Sequence, residues 1–244
     1  MLLRELYDIH EEHDGVTVNR DLNPKIWRDN ELKPEIKSKL INIADNFKRF
    51  IGIELDIVDL TLTGSNANYT WTPYSDLDLH LMVRGDITDA MRELFNAKKA
   101  LYNDQHDIKI RGIPVEVYVQ GTEEEHHSTG VYSIDSDRWL VKPVKQRPEI
   151  DDDAIEAKQS SIIHDIQLAL TKNDLDDLRT VKDRLTTMRR AGLARTGEWS
   201  VENQVFKNLR NLGVIEEIVE KIRELEDQEL SLEQQTPPLE WLTF

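Results

Sequence analysis

The chain has 244 residues, 39% hydrophobic and 32% charged, which suits one large or two small soluble globular domains. It contains no cysteine, which excludes a disulfide framework and a thiolate metal site, and no apolar run nears the ~20 residues of a membrane span. A formal net charge of −16 excludes general coating of nucleic acid, which needs basic residues to displace counterions; a polyanion would need a local basic patch.

In chain order, residues 1–14 read as a short helix, and 15–32 carry few regular patterns. The start, Met1-Leu2-Leu3-Arg4-Glu5, lacks an apolar signal core, and a cytoplasmic location is expected. Pro34 fits the first turn of a helix running to about residue 50. Ile36, Leu40, Ile43, Ala44, Phe47 and Ile51 recur on one face, and Gly52 ends it. Residues 57–63 read as a buried strand. Gly64-Ser65 follows, and residues 65–69 are expected to open a short helix whose amides face phosphate. Residues 76–83 read as a second strand, and Gly85-Asp86 as the cap of a helix over about 87–102. Strands at 108–110 and 115–119 flank Arg111-Gly112, the mark of a tight hairpin. Glu123-Glu124-Glu125 and Asp151-Asp152-Asp153 read as loop or helix-start acids.

From Asp151 the strand signals stop. Helices are expected near 152–171, 174–191, 198–211 and 213–229, punctuated by Asn173-Asp174, Gly192 and Leu212-Gly213. Pro237-Pro238 keeps the tail from being helical, leaving it disordered or docked through Leu239, Trp241, Leu242 and Phe244. The expected fold is α+β, a mixed sheet with flanking helices over residues 1–150 and a helical domain over 151–244.

The chemistry concentrates between the second and fourth strands. In Asp76-Leu77-Asp78 the carboxylates have the period of a strand and share one face, while Leu77, Leu79 and Leu81 share the other. Side-by-side carboxylates repel unless a cation lies between them, and oxygen-only ligands favour Mg²⁺ or Mn²⁺. Glu116, in the middle of a β-branched strand, is costly to bury alone and would complete a three-carboxylate site able to hold two ions. A glycine at Gly64 lets the backbone approach a phosphate closely. Phosphate cradle plus metal carboxylates is equipment for phosphoryl or nucleotidyl transfer.

These residues resemble the DNA polymerase β nucleotidyltransferase superfamily, whose pattern is a Gly-Ser, an acid-x-acid strand and a third acid on a later strand. A closer resemblance, over about residues 22–148, is to nucleotidyltransferases many of which tailed phages encode. It is carried by Asn68-Tyr69-Thr70-Trp71, Asp78-Leu79-His80, Val115-Glu116-Val117-Tyr118-Val119-Gln120, Ser128-Thr129-Gly130-Val131-Tyr132-Ser133, and Trp139 with Pro143. The resemblance implies a polymerase β-like core and transfer of a nucleoside monophosphate from a nucleoside triphosphate to a hydroxyl, in the host cytoplasm if the chain is phage-encoded. In that reading Asp76, Asp78 and Glu116 are the catalytic and metal-binding residues, and Gly64, Ser65, Asn68 and Ser75 bind the nucleotide. Glu116 holds the ion that activates the hydroxyl, or acts as its base.

Other residues admit two readings each. Ser75 either orients Asp76 or is a plain loop serine. His80 is either near the ions or a structural neighbour. Tyr69, Trp71, Tyr132 and Trp139 either stack on a base or pack in the core. His126-His127 reads as a solvated pair. Arg179, Lys182 and Arg189 have helical spacing, and Lys207 and Arg210 add to them; this stripe either meets an RNA 3′ end or is neutralised by Asp176, Asp177 and Asp183. The expected acceptor hydroxyl is an RNA 3′ end, met by this stripe, with a protein, a small molecule or a second nucleotide as the alternatives. The rival of another class is a non-catalytic, antitoxin-like nucleotide-binding module, which predicts a degraded carboxylate set.

Overall fold

The computed structural model describes residues 18–124, 128–145 and 151–231; the expected helix at 1–14, His126-His127 and the C-terminal tail lie outside the described residues. The described residues divide into two compact units, one within 18–145 and the other over 151–231.

In the first unit, β1 (Trp27–Arg28) and β2 (Glu31–Leu32) form a small antiparallel hairpin within the stretch whose sequence shows little pattern. Helix α1 (Pro34–Ile51) has proline in its first turn and Gly52 in the left-handed region after its last, at the expected positions. It is followed by β3 (Ile57–Thr63), β4 (Leu77–Val83), α2 (Asp89–Gln105), β5 (Lys109–Ile110), β6 (Ile113–Gly121), β7 (Val131–Ser133) and β8 (Arg138–Val141). The six-stranded sheet has the order β5-β6-β4-β3-β7-β8. Strands β4 and β6 run parallel, with α2 in the crossover between them, and the other neighbouring pairs run antiparallel, so the sheet is mixed. Leu62, Leu77, Leu79 and Leu81 are fully buried in one core with Ile36, Leu40 and Phe47 of α1 and Phe95 and Tyr102 of α2. Arg111 and Gly112 both have positive φ, the turn type that suits a two-residue hairpin loop.

Three expectations are corrected here. The short helix expected over residues 65–69 is a single 3-10 turn, Ser65–Ala67, and Asn68 is already extended. The cap of α2 is Thr88, whose hydroxyl accepts from the Met91 amide, and not Gly85-Asp86. Strands β7 and β8 add an edge to the sheet where no strand is expected.

The second unit contains α3 (Asp152–Lys172), α4 (Leu175–Thr196), α5 (Val201–Asn211) and α6 (Val214–Leu230). Asp151, Asp174 and Ser200 cap the first three, each accepting a backbone amide three residues on. Ile162, Ile166, Leu178, Leu185, Val205, Leu209, Val214 and Ile218 form their shared core. Gly192 does not end a helix. It lies inside α4, where a Cβ would come within 2.6 Å of Ser200 Oγ and 2.7 Å of Glu202 Cβ, so its role is close packing. No helix among the described residues is long and apolar enough to cross a membrane.

Glu202 on α5 is buried, 8% exposed, and its Oε1 accepts from Lys158 Nζ at 2.6 Å and Arg195 Nη2 at 2.8 Å. The Lys158 hydrogen bond, helped by a backbone bond and Arg195 and opposed by burial, holds its carboxyl down from the ordinary 4.5 to about 2. A carboxyl depressed in the folded state stabilises above its ordinary value, and that stability is lost as pH falls through the folded value. Glu202→Gln should therefore cost about 2 kcal/mol at neutral pH. The gap between wild type and variant should close as pH falls from 4.5 toward 2. Urea titrations across this range test both magnitude and sign.

Candidate functional site

Register brings the three acids together. Antiparallel pairing sets Thr63 opposite Asp78, and parallel pairing sets Asp78 opposite Glu116. Asp76 lies one residue ahead of β4, and its carbonyl accepts from the side chain of Asn66 at 2.8 Å. Alternation along β4 buries the leucines and leaves Asp78 and His80 half-buried on the other face. One carboxylate oxygen from each of Asp76, Asp78 and Glu116 lies within 4.8 Å of the others. Ligand oxygens around a magnesium ion, with bonds of about 2.1 Å, sit about 3–4 Å apart. The donor set is hard and oxygen-only, and its spacing fits a Mg²⁺ or Mn²⁺ ion with little movement.

Gly64 makes room for this. Its φ of 76° and ψ of −165° lie in a region open essentially to glycine alone. A Cβ there would fall 1.8 Å from Asp78 Oδ2 and 2.9 Å from its carboxyl carbon. The carboxylate of Asp78 thus occupies space that any side chain at position 64 would take.

Glu116 is held by two donors on one oxygen. Tyr118 Oη donates to Oε2 at 2.5 Å and Lys99 Nζ donates to the same atom at 2.6 Å. Lys99 Nζ also lies 3.5 Å from the centre of the Tyr118 ring. Burial pushes the Glu116 carboxyl up; hydrogen bonds from Lys99 and Tyr118, the Lys99 charge and a contact with Asp76 outweigh it and hold the group below its ordinary value. Glu116 is therefore ionised at neutral pH. Burial first, then the charges of Asp78 and Glu116, drive the Tyr118 phenol far up, so it stays a donor. Behind it, His80 stacks on the Tyr118 ring with centroids 4.8 Å apart, between Thr63 Oγ1 at 3.1 Å and Gln120 Oε1 at 2.7 Å. His80 has both ring nitrogens engaged and supports the wall of the site.

The loop after β3 is tied in several directions. Ser65 Oγ donates to Ser75 Oγ at 2.8 Å, and Ser75 Oγ accepts from the Thr72 amide at 2.9 Å. Ser75 thus closes a turn next to Asp76. Asn68 Nδ2 donates to Thr129 Oγ1 at 2.5 Å and its Oδ1 accepts from the Tyr69 amide, so its side chain staples two loops. Ser128 Oγ accepts from the Gly64 amide at 3.3 Å. Asn66 is fully buried: it accepts from Asn23 Nδ2 at 2.7 Å, donates to the Asp76 carbonyl, and its own carbonyl accepts from Trp27 Nε1 at 2.7 Å.

The aromatic residues are engaged within the fold. Trp27 stacks on Trp139 at 4.8 Å, and Tyr132 meets both edge-on. Trp71 Nε1 donates to the Asp21 carbonyl at 2.9 Å, and Tyr69 packs against the core under Lys145. In the second unit, Arg179 pairs with Glu226 at 2.8 Å and Asp176 at 3.5 Å, Arg189 lies over the Phe206 ring at 4.5 Å, and Lys182 is exposed. Lys99, Tyr118, Asn66 and Gln120 are site residues that sequence reasoning missed. For Tyr118 and Gln120 the signal was present, since both share the Glu116 face at a period of two. Lys99 gave none, because its partner is known only once α2 is placed.

No protein-family model and no curated protein matches the chain. Among solved structures it is similar to the spectinomycin adenyltransferase AAD(9) from Enterococcus faecialis with ATP and spectinomycin, at 14% identity and a TM-score of 0.26, over 82% of this chain and 93% of that one. It is also similar to the STING-associated CdnE c-di-GMP synthase from Capnocytophaga granulosa, at 14% identity and a TM-score of 0.21, over 81% of this chain and 83% of that one. At such scores the likeness adds no weight to the geometry of the site.

Gly64→Ala tests that geometry. The new methyl group must displace the Asp78 carboxylate and sits on a backbone that strains any side chain. Mn²⁺ binding, followed by electron paramagnetic resonance, should weaken by about tenfold or more, as expected for a misplaced charged ligand. The far-ultraviolet dichroism should stay that of the wild type.

Proposed function

We propose that this chain is a nucleotidyltransferase that moves a nucleoside monophosphate from a nucleoside triphosphate to a hydroxyl acceptor and releases pyrophosphate. The observation that carries the reading is the meeting of three carboxylate oxygens within 4.8 Å beside a backbone cleared of side chain at Gly64. In the reaction the acceptor oxygen bonds to the α-phosphorus, the bond from that phosphorus to the α,β-bridging oxygen breaks, pyrophosphate leaves with that oxygen, and the hydroxyl proton passes to water. Asp76, Asp78 and Glu116 would hold Mg²⁺ or Mn²⁺. A bound divalent ion supplies charge for the phosphates and a lowered pKa for the attacking hydroxyl. Gly64 and Ser65 lie where the triphosphate would approach, and Ser75 and Asn68 support that loop through their hydrogen bonds to Ser65, Thr72, Tyr69 and Thr129. The complete carboxylate set favours an enzyme over an antitoxin-like binding module.

The acceptor we favour is a small-molecule or protein hydroxyl. An RNA 3′ end would call on the stripe of Arg179, Lys182 and Arg189, and two of these three cations are already engaged by Glu226, Asp176 and the Phe206 ring. The net charge of −16 points the same way.

Incubation with each labelled triphosphate and Mg²⁺ or Mn²⁺, together with separate RNA, protein and small-molecule fractions, tests both statements. Label should transfer to a non-RNA fraction with release of pyrophosphate. Asp76→Asn and Asp78→Asn should each lower the rate by about a hundredfold or more with the fold retained. Pyrophosphate release that both variants match would sink the reading, and transfer to RNA alone would overturn the acceptor.

A further inference from the structure

Lys99 holds a position that neither the metal-ligand pattern nor the phosphate loop calls for. It projects from α2, across the crossover that joins β4 to β6, and its ammonium group meets Glu116 Oε2 at 2.6 Å. Its side chain is 20% exposed and lies against the Tyr118 ring, so the cation is built into the wall of the site. Each carboxylate oxygen offers about two lone-pair sites. With Lys99 and Tyr118 both donating to Oε2, that oxygen is filled, and Oε1 is what Glu116 has left for an ion.

We propose that Lys99 is a positioning residue with an electrostatic task. It pins Glu116 through Oε2, and it offsets one of the three negative charges so that the site holds a divalent ion weakly by itself and firmly only with a triphosphate. This rests on the nucleotidyltransferase reading and concerns the same site. The physical basis is direct. Three ionised acids around one ion would bind it whether or not a substrate is present, and a fixed ammonium group 2.6 Å from one of them weakens that affinity. A triphosphate restores affinity by adding its own oxygens as ligands. The bland alternative is that the pair merely fastens α2 to β6, in which case its removal changes stability and leaves ion binding alone.

The experiment measures Mn²⁺ affinity by electron paramagnetic resonance on the full chain, with and without a triphosphate that has a non-cleavable α,β-bridge. In Lys99→Met, Mn²⁺ should bind the free protein about tenfold more tightly, the effect of deleting one nearby charge in partly screened surroundings. The enhancement of Mn²⁺ binding by triphosphate should shrink by the same factor. Lys99→Arg keeps the charge and should bind free Mn²⁺ like the wild type. Equal Mn²⁺ affinity in wild type and Lys99→Met overturns the proposal while leaving the nucleotidyltransferase reading intact. If wild type shows no triphosphate-dependent Mn²⁺ binding, that reading falls, and the role of Lys99 falls with it. Should Lys99→Met fail to fold, Lys99→Gln takes its place; loss of fold in both also overturns the proposal, since it would make the lysine a structural fastener.

Discussion

Mutual repulsion among Asp76, Asp78 and Glu116 is the constraint to which the rest of the first unit answers. Two unit charges about 4–5 Å apart near a protein surface repel by on the order of 3–4 kcal/mol before solvent screening. Lys99 offsets part of this at Glu116, and the Asp76–Asp78 pair alone is still a sizeable share of the stability of an ordinary domain, about 5–15 kcal/mol. Such a cluster persists only if the backbone that carries it is fixed by something stronger. Here the fixing comes from the sheet: β3, β4 and β6 are hydrogen-bonded side by side, and the fully buried leucines of β4 lock its register. A slip of one residue would turn the leucines outward and bury the acids. The hydrophobic face thus dictates where the charged face points.

That relation explains why so much of the site could be read directly from the chain. Alternation of Leu77, Leu79 and Leu81 with Asp78 and His80 is a local signal, and it specifies both a strand and the face its acids occupy. Glu116 in a β-branched run carries the same kind of signal. Arg111-Gly112 marks its turn through backbone conformation alone. What failed to show depends on contacts between distant segments. Lys99 is one lysine among several on an ordinary helix until α2 is laid against β6. Strands β1, β2 and β7, two or three residues long, are too short for any period to show, and they exist because the neighbouring edge and the Trp27, Tyr132 and Trp139 cluster hold them. Gly192 misled for a related reason: a glycine that makes space for packing looks, in sequence, like one that ends a helix.

The helical unit shows how an acidic chain disposes of its cations. Arg179 faces Glu226, Arg184 faces Asp165, and Lys158 and Arg195 converge on Glu202. Exposed pairs of this kind contribute little stability, but they lower the field that a basic helix would otherwise present. Glu202 is the exception, because its burial makes the two partners a requirement of the fold. A row of basic residues at helical spacing is thus poor grounds for a polyanion site when acids on the neighbouring helix match it.

Asn66 has a consequence for the order of assembly. Its three hydrogen bonds reach back 43 residues to Asn23 and 39 to Trp27, and forward 10 residues to the carbonyl of Asp76. Sheet pairing alone can align Asp78 with Glu116, but Asp76 lies outside the strand and takes its support from a residue that is itself held by the N-terminal segment. Contacts this distant in sequence are slow to close and are made after local structure has formed. The ribosome delivers Asn23 and Trp27 early, yet they have nothing to bind until the Gly64 loop emerges and β3 and β4 have paired. The support of Asp76 thus rests on contacts between segments distant in sequence, and its carboxylate takes its place beside Asp78 and Glu116 only where those contacts are made.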